Sequence, residues 1–180
     1  MKNTDKKIII SIGGLCGSGK TTLSNYLAKK YGFTVFKIGT FRKRWKGENM
    51  AWFMLSQAVH NCTGYHIVIE TVGTNHREYM LDNIKRLKIF LDAPMKVLDK
   101  RINKKSIFER GWFNWTSQKS IFKEYKDKKD FNRKMLRDFN KVKKKGVVVN
   151  ADRPIEEVIK NIDKLILKKY NIKGLTRKKE

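Results

Sequence analysis

The segment Gly14-Leu15-Cys16-Gly17-Ser18-Gly19-Lys20-Thr21 fits the pattern G-x-x-x-x-G-K-[ST] at every fixed position. Before it lie Ile8, Ile9, Ile10 and Ile12, a β-branched run that reads as a buried strand. After it, Leu23, Tyr26, Leu27 and Lys30 recur at helical spacing through Thr22–Tyr31, and Gly32 is a C′ stop. Strand, glycine-rich turn and helix in this order form a cradle for phosphate. Several backbone N–H groups must meet the anion at once, and Gly14, Gly17 and Gly19 carry no Cβ to block the curl or the positive φ it needs. The helix that follows turns its positive N-terminal end toward the phosphates. Lys20 is placed to reach β- and γ-phosphates, and the Thr21 hydroxyl to ligate Mg²⁺. Cys16, Ser18 and Thr22 complete the candidate ATP-binding loop. A chance glycine turn is the plain alternative, and the flanking strand and helix argue against it.

The basic stretch Met1–Lys7 followed by the short apolar run Ile8–Cys16 also has the outline of a secretory leader. No A-x-A-like cleavage site follows, and the phosphate loop stands in its place. With 180 residues, 40% hydrophobic and only two prolines, the chain is long and apolar enough for one globular domain. No run of about 18 apolar residues suggests a membrane span. The two cysteines, Cys16 and Cys62, build no disulfide framework, so a cytoplasmic location is expected. Cys16 reads as a small neutral loop residue.

Forty-two Lys and Arg against 17 Asp and Glu give a net charge of +25. The excess is uneven: Lys123 to Lys145 holds eleven basic residues and four acidic ones, and Lys168 to Glu180 six and one. Such a surface attracts nucleotides, nucleic acid or acidic membrane. A lysine-rich composition explains the same numbers, and the two readings stand side by side.

Further strands are expected at Phe33–Ile38, His66–Glu70, Leu87–Asp92 and Gly146–Asn150, and further helices at Phe41–His60, Asn75–Lys85, Pro94–Asn103, Thr116–Lys145 and Pro154–Tyr170. Pro94 and Pro154 suit a first helical turn. Strands alternating with helices imply an α/β fold: a five-stranded parallel sheet covered on both faces, with ligands at the carboxyl ends of the strands.

In that order the motifs resemble the small P-loop kinases of the nucleoside monophosphate kinase type, from about Lys7 to Leu167. "KYGFTVFKIGTFRKRW" is similar to the family's second strand and acceptor-phosphate element, and "YHIVIETVG" to its third strand ending in an acid and a glycine. "LKIFLDAPMKVLDKRI" resembles the fourth strand and the helix leading into the lid. "GVVVNADRPIEEVIKNI" resembles the fifth strand, the adenine-side loop and the last helix. The pattern is most similar to cytidylate-kinase-like members with short lids. Two departures fall on the acceptor side: Lys43 stands where the family has an arginine four residues after Gly39, and "ETVGTNHRE" replaces Asp-Gly-x-Pro-Arg. "GTNHRE" is also similar to hydroxyl-phosphorylating P-loop kinases, polynucleotide kinases among them.

The resemblance implies one P-loop kinase domain over residues 1–170, with an acceptor-binding insertion at about 39–65, a short lid at about 104–130 and a basic tail at 171–180. It implies that Arg101 covers the adenine, with Asn150 and Asp152 beside it. It places Arg110, Arg133 and Arg137 in the lid and the helix behind it, where they would meet the transferring phosphoryl group. A solvated basic face is the plain reading of these three. Arg42, Arg44 and Arg77 are candidates to hold an acceptor phosphate, Arg42 foremost. Trp45, Trp52 and Phe53 suit packing better than base stacking, whereas Trp112, Phe113 and Trp115 beside Gly111 suggest a lid tip. His60, His66 and His76 show no metal-ligand spacing. Of the acids in the first seventy residues, Asp5, Glu48 and Glu70, only Glu70 ends a strand. If its strand lies beside the first, Glu70 faces the phosphate loop as a Mg²⁺ partner or a base. Asp92 is the rival, with helix capping its plain role.

The expected activity is ATP- and Mg²⁺-dependent phosphorylation of a nucleoside monophosphate, a pyrimidine one by resemblance. A hydroxyl acceptor on a polynucleotide or small metabolite is the alternative, and a nucleic-acid-binding ATPase a third. The expected partners are ATP and a small nucleotide, with nucleic acid a further one through the basic surface.

Overall fold

The computed structural model describes residues 7–45, 47–64, 66–74, 76–104 and 125–170. Its strands are β1 (Ile8–Gly14), β2 (Thr34–Lys37), β3 (His66–Glu70), β4 (Leu87–Asp92) and β5 (Val147–Asn150). All pair in parallel, in the order β2-β3-β1-β4-β5. The helices are α1 (Lys20–Tyr31), α2 (Ile38–Arg44), α3 (Glu48–Asn61), α4 (Met95–Lys104), α5 (Lys128–Val142) and α6 (Ile155–Tyr170), with 3₁₀ turns at His76–Leu81 and Lys143–Lys145.

Both faces of the sheet are covered, so the central strands are apolar at nearly every position. On one face Ile8, Ile10, Ile12, Ile89, Leu91 and Val149 meet Leu23 and Leu27 of α1 and Val158, Ile162 and Ile166 of α6. The opposite face is divided. Ile67 and Ile69 of β3 pack against Ala51, Trp52, Leu55 and Val59 of α3. Phe90 of β4 packs with Leu98 of α4 and Phe139 of α5. Trp52 is thus a core residue, while Phe53 is half exposed.

Three expected helices come out differently. Phe41–His60 is two helices, because the chain breaks at Trp45–Gly47 and Gly47 takes φ 91°, a conformation that suits glycine. Where a helix over Asn75–Lys85 is expected, the helix among the described residues is the 3₁₀ segment His76–Leu81. In Thr116–Lys145 the described helix starts at Lys128, where Asp127 caps it by accepting from the Lys129 and Asp130 N–H groups at 2.8 Å each. Arg110, the Trp112–Trp115 aromatics, most of the lid and the 171–180 tail lie outside the described residues.

Phe139 anchors α5 to the sheet; it is 1% exposed, with its ring 6.1 Å from that of Phe90 in an edge-on arrangement. Phe139→Ala should lower the unfolding free energy by about 3–5 kcal/mol, measured by urea titration. A loss below 1 kcal/mol would mean that α5 does not depend on this contact.

Candidate active site

The phosphate loop leaves β1 at the C-terminal edge of the sheet, where β1 lies between β3 and β4. The Gly14 N–H donates to Val72 O (3.1 Å) and the Thr71 N–H to Ile12 O (3.1 Å), so the loop start is tied to the segment after β3. Gly17 and Gly19 have φ of 86° and 95°. At Gly17 a Cβ would also stand 2.9 Å from the Leu98 carbonyl oxygen of α4, so glycine serves both conformation and space there. The first turn of α1 carries no acid, which leaves its positive end uncompensated. Lys20 Nζ rests on the loop itself, donating to Gly14 O (2.8 Å) and Leu15 O (3.0 Å).

β3 does lie beside β1, with Ile12 opposite Glu70. This register brings Glu70 to the loop, where Thr21 Oγ1 donates to Glu70 Oε1 at 2.8 Å. Glu70 Oε2 is buried without a hydrogen-bond partner, and Lys37 Nζ, at the end of β2, lies 4.0 Å away. A hydroxyl and a carboxylate oxygen side by side at the start of α1 form an oxygen donor set suited to a Mg²⁺–phosphate complex. Asp92 is engaged elsewhere, accepting from Lys143 Nζ at 2.6 Å.

On the opposite flank, Arg101 Nη1 donates to Ala151 O at 2.6 Å, tying α4 to the loop between Asn150 and Asp152. Asn150 Oδ1 accepts the Asp152 N–H at 2.8 Å and so shapes that turn. The three adenine-side candidates are therefore neighbours. Arg133 and Arg137 are exposed side chains of α5. Arg133 is 63% exposed and 3.6 Å from Asp99, and Arg137 is 83% exposed and paired with its neighbour Asp138.

Two of the three arginines expected to hold an acceptor phosphate, Arg42 and Arg77, are held at the first turn of α3. Arg42 grips Glu48 with two nitrogens, Nη2 to Oε1 at 2.5 Å and Nε to Oε2 at 2.9 Å, and Trp52 Nε1 donates to Glu48 Oε1 at 2.9 Å. Arg77 Nε donates to Asn49 Oδ1. Arg44 lies over the Trp45 ring, 5.5 Å from its centre. Sequence reasoning singled out the arginines but not Glu48 and Asn49, which place two of them. It also passed over Asn132 of α5, whose side chain bonds the phosphate loop at Cys16. The available signal was a polar residue on the apolar stripe of Met135, Leu136 and Phe139, three, four and seven positions on.

Burial pushes the Glu48 carboxyl up, but the Arg42 bonds, the Trp52 N–H and the nearby Arg77 charge outweigh it and hold it below the ordinary 4.5. A depressed carboxyl stabilises the fold fully above the unfolded value and loses that contribution as pH falls through the folded one. Glu48→Gln should therefore cost about 2 kcal/mol at pH 7, since it breaks hydrogen bonds to a charged group. The gap to wild type should close as pH drops below 4.5. Urea unfolding of both proteins from pH 7 to pH 3 checks it; a gap unchanged by pH would remove the ion pair as its source.

The family profile described as "Deoxynucleoside kinase" matches residues 10–165. A cytidylate kinase from Methanoregula boonei is 50% identical over 100 residues, covering 48% of this chain and 54% of its own length. The chain thus spans about half the length of that curated relative. A shikimate kinase from Aquifex aeolicus superposes with a TM-score of 0.59 at 20% identity, over 93% of this chain and 100% of the other. Another from Acinetobacter baumannii, solved in complex with shikimate, gives 0.58 at 12% identity, over 93% and 97%. These two structures share the fold. The chain therefore belongs to the deoxynucleoside kinase family and has the P-loop kinase fold.

Proposed function

We propose that the chain transfers the γ-phosphoryl group of ATP to the phosphate of a nucleoside monophosphate, a pyrimidine one. The observation that carries this reading is the state of the carboxylates beside the acceptor side. A hydroxyl must lose its proton to a base in reach, whereas a phosphate acceptor is already ionised. Glu70 accepts from Thr21 and has Lys37 nearby, the arrangement of a metal-side acid. Glu48 is clamped by Arg42 and Trp52, and its depressed carboxyl makes it a poor base. Arginines surround the same region, as a dianionic acceptor requires. The cytidylate kinase relative supports the pyrimidine choice.

In this reading Gly14, Cys16, Gly17, Ser18, Gly19, Lys20, Thr21 and Thr22 hold the triphosphate, Lys20 exchanging its two carbonyls for phosphate oxygens. Thr21 and Glu70 hold Mg²⁺, which when bound neutralises charge between the phosphates. Arg101, Asn150 and Asp152 border the adenine, and Arg42, Arg44 and Arg77 face the acceptor. Arg110, Arg133 and Arg137 would act on the transferring group from the lid and α5. The two cysteines are free thiols, in keeping with a cytoplasmic setting.

A second reading, transfer to a nucleoside 5′-hydroxyl, is favoured by the family match and by the buried, unpartnered Glu70 Oε2, which would take the proton. One experiment separates the two: transfer from labelled ATP to CMP, UMP, cytidine, deoxycytidine and a 5′-hydroxyl oligonucleotide at moderate salt. The expected result is labelled diphosphate from CMP or UMP and none from the nucleosides. Label on nucleosides alone would establish Glu70 as the base, and label on the oligonucleotide would give the +25 surface a substrate. Lys20→Ala should keep the fold and reduce transfer by about a hundredfold or more, because it removes charge stabilisation from the transferring group. Glu70→Gln should fall similarly, and Asp92→Asn should not.

A further inference from the structure

We infer that Asn132 is a positioning residue for ATP: it fixes the phosphate loop by clamping the backbone of Cys16 from α5. The Asn132 side chain is fully buried. Its Oδ1 accepts the Cys16 N–H at 2.8 Å, and its Nδ2 donates to Cys16 O at 2.9 Å. The amide thereby satisfies both polar groups of one residue in the middle of the loop. It does so from 116 positions away in sequence.

A buried amide in a helix carries a cost that an apolar side chain would avoid, and here the neighbours Met135, Leu136 and Phe139 are apolar. Core filling alone would be met by leucine. What leucine lacks is the donor–acceptor pair. Cys16 precedes Gly17, whose φ of 86° reverses the loop toward the start of α1. Holding the Cys16 peptide against α5 fixes the direction from which that reversal begins, and with it the aim of the following N–H groups. A preorganised loop binds an anion without first losing backbone freedom. The same helix touches the segment after β3, where Thr74 Oγ1 contacts Met135 Sδ at 3.6 Å, so the clamp also sets the loop relative to the acceptor side.

This inference rests on the proposed reading of the loop as the ATP site, and the test separates the two. The measurement is equilibrium binding of MgATP to the full chain, independent of acceptor identity, for wild type, Asn132→Leu, Asn132→Asp and Lys20→Ala between pH 5.5 and 8.5, with thermal melts of each apo protein. Asn132→Leu leaves both Cys16 groups unpaired and should weaken MgATP about ten- to a hundredfold, the range set by an unmet buried polar group. Asn132→Asp should bind worse still at pH 8.5, where the carboxylate cannot donate to Cys16 O and sets a negative charge against the loop. On acidification the protonated acid regains the donor, so its gap to wild type should narrow by about tenfold, in line with a carboxyl pKa raised by burial. A residue that merely filled the core would lower the melting temperature without this pH-dependent recovery. Wild-type MgATP affinity in folded Asn132→Leu overturns the inference, as does a pH-independent gap for Asn132→Asp. If Asn132→Leu does not fold, the Asn132→Asp profile alone decides. Absence of MgATP binding to the wild-type chain would overturn the reading of the loop itself. Weakened binding in Lys20→Ala with wild-type behaviour of both Asn132 variants would overturn only the role of Asn132.

Discussion

The pairing of β1 between β3 and β4 is the constraint on which the site depends. Its parallel register sets Ile12 opposite Glu70 and Gly14 opposite Leu91. Successive strand residues point to opposite faces, so a slip of one position would turn Glu70 away and leave Thr21 without its carboxylate. The register is held by apolar residues on both faces, Ile10, Ile12 and Ile89 on one and Ile67 and Ile69 on the other, all fully buried. Fixing the chemical groups thus falls to side chains with no chemistry of their own. Glycine is forced where strand and loop meet: at Gly13 a Cβ would stand 2.7 Å from the Phe90 ring.

Around this frame the basic residues divide into those that are held and those that are not. Arg42, Arg77 and Arg101 are each fastened to a neighbouring oxygen, and Arg86 is buried beside Glu78 and Asp82. Arg133 and Arg137 are exposed, with only long ion pairs, which contribute little in water. A net charge of +25 therefore says little about where cations act. Placement does, and for Arg42 and Arg77 it comes from the first turn of α3.

The sheet was legible because strand apolarity and the phosphate-loop pattern are local. All five strands appear close to where the residues suggest, and Glu70 lies where a third strand beside the first would put it. The break between α2 and α3 was less legible, since the helical pattern runs across Trp45–Gly47 and only the glycine marks the stop. The Arg42–Glu48 pair spans six residues across that break, so it is absent from any single-helix reading. What Asn132 meets was beyond reach, because its partner is backbone and sequence carries no label for a backbone partner. Helix periodicity marks a polar residue on an apolar stripe as unusual without saying what it meets.

The resting place of Lys20 has a thermodynamic consequence. Its ammonium is bonded to two carbonyl oxygens of the loop, so an arriving anion exchanges contacts instead of adding them. The net gain is a difference between two charge-assisted sets, far smaller than either alone. An anion too short to reach the loop amides together with the lysine would displace those carbonyls for little return. The loop is in this sense self-solvated, and it favours length: a polyphosphate chain gains from many donors at once, while inorganic phosphate has few contacts to offer in exchange.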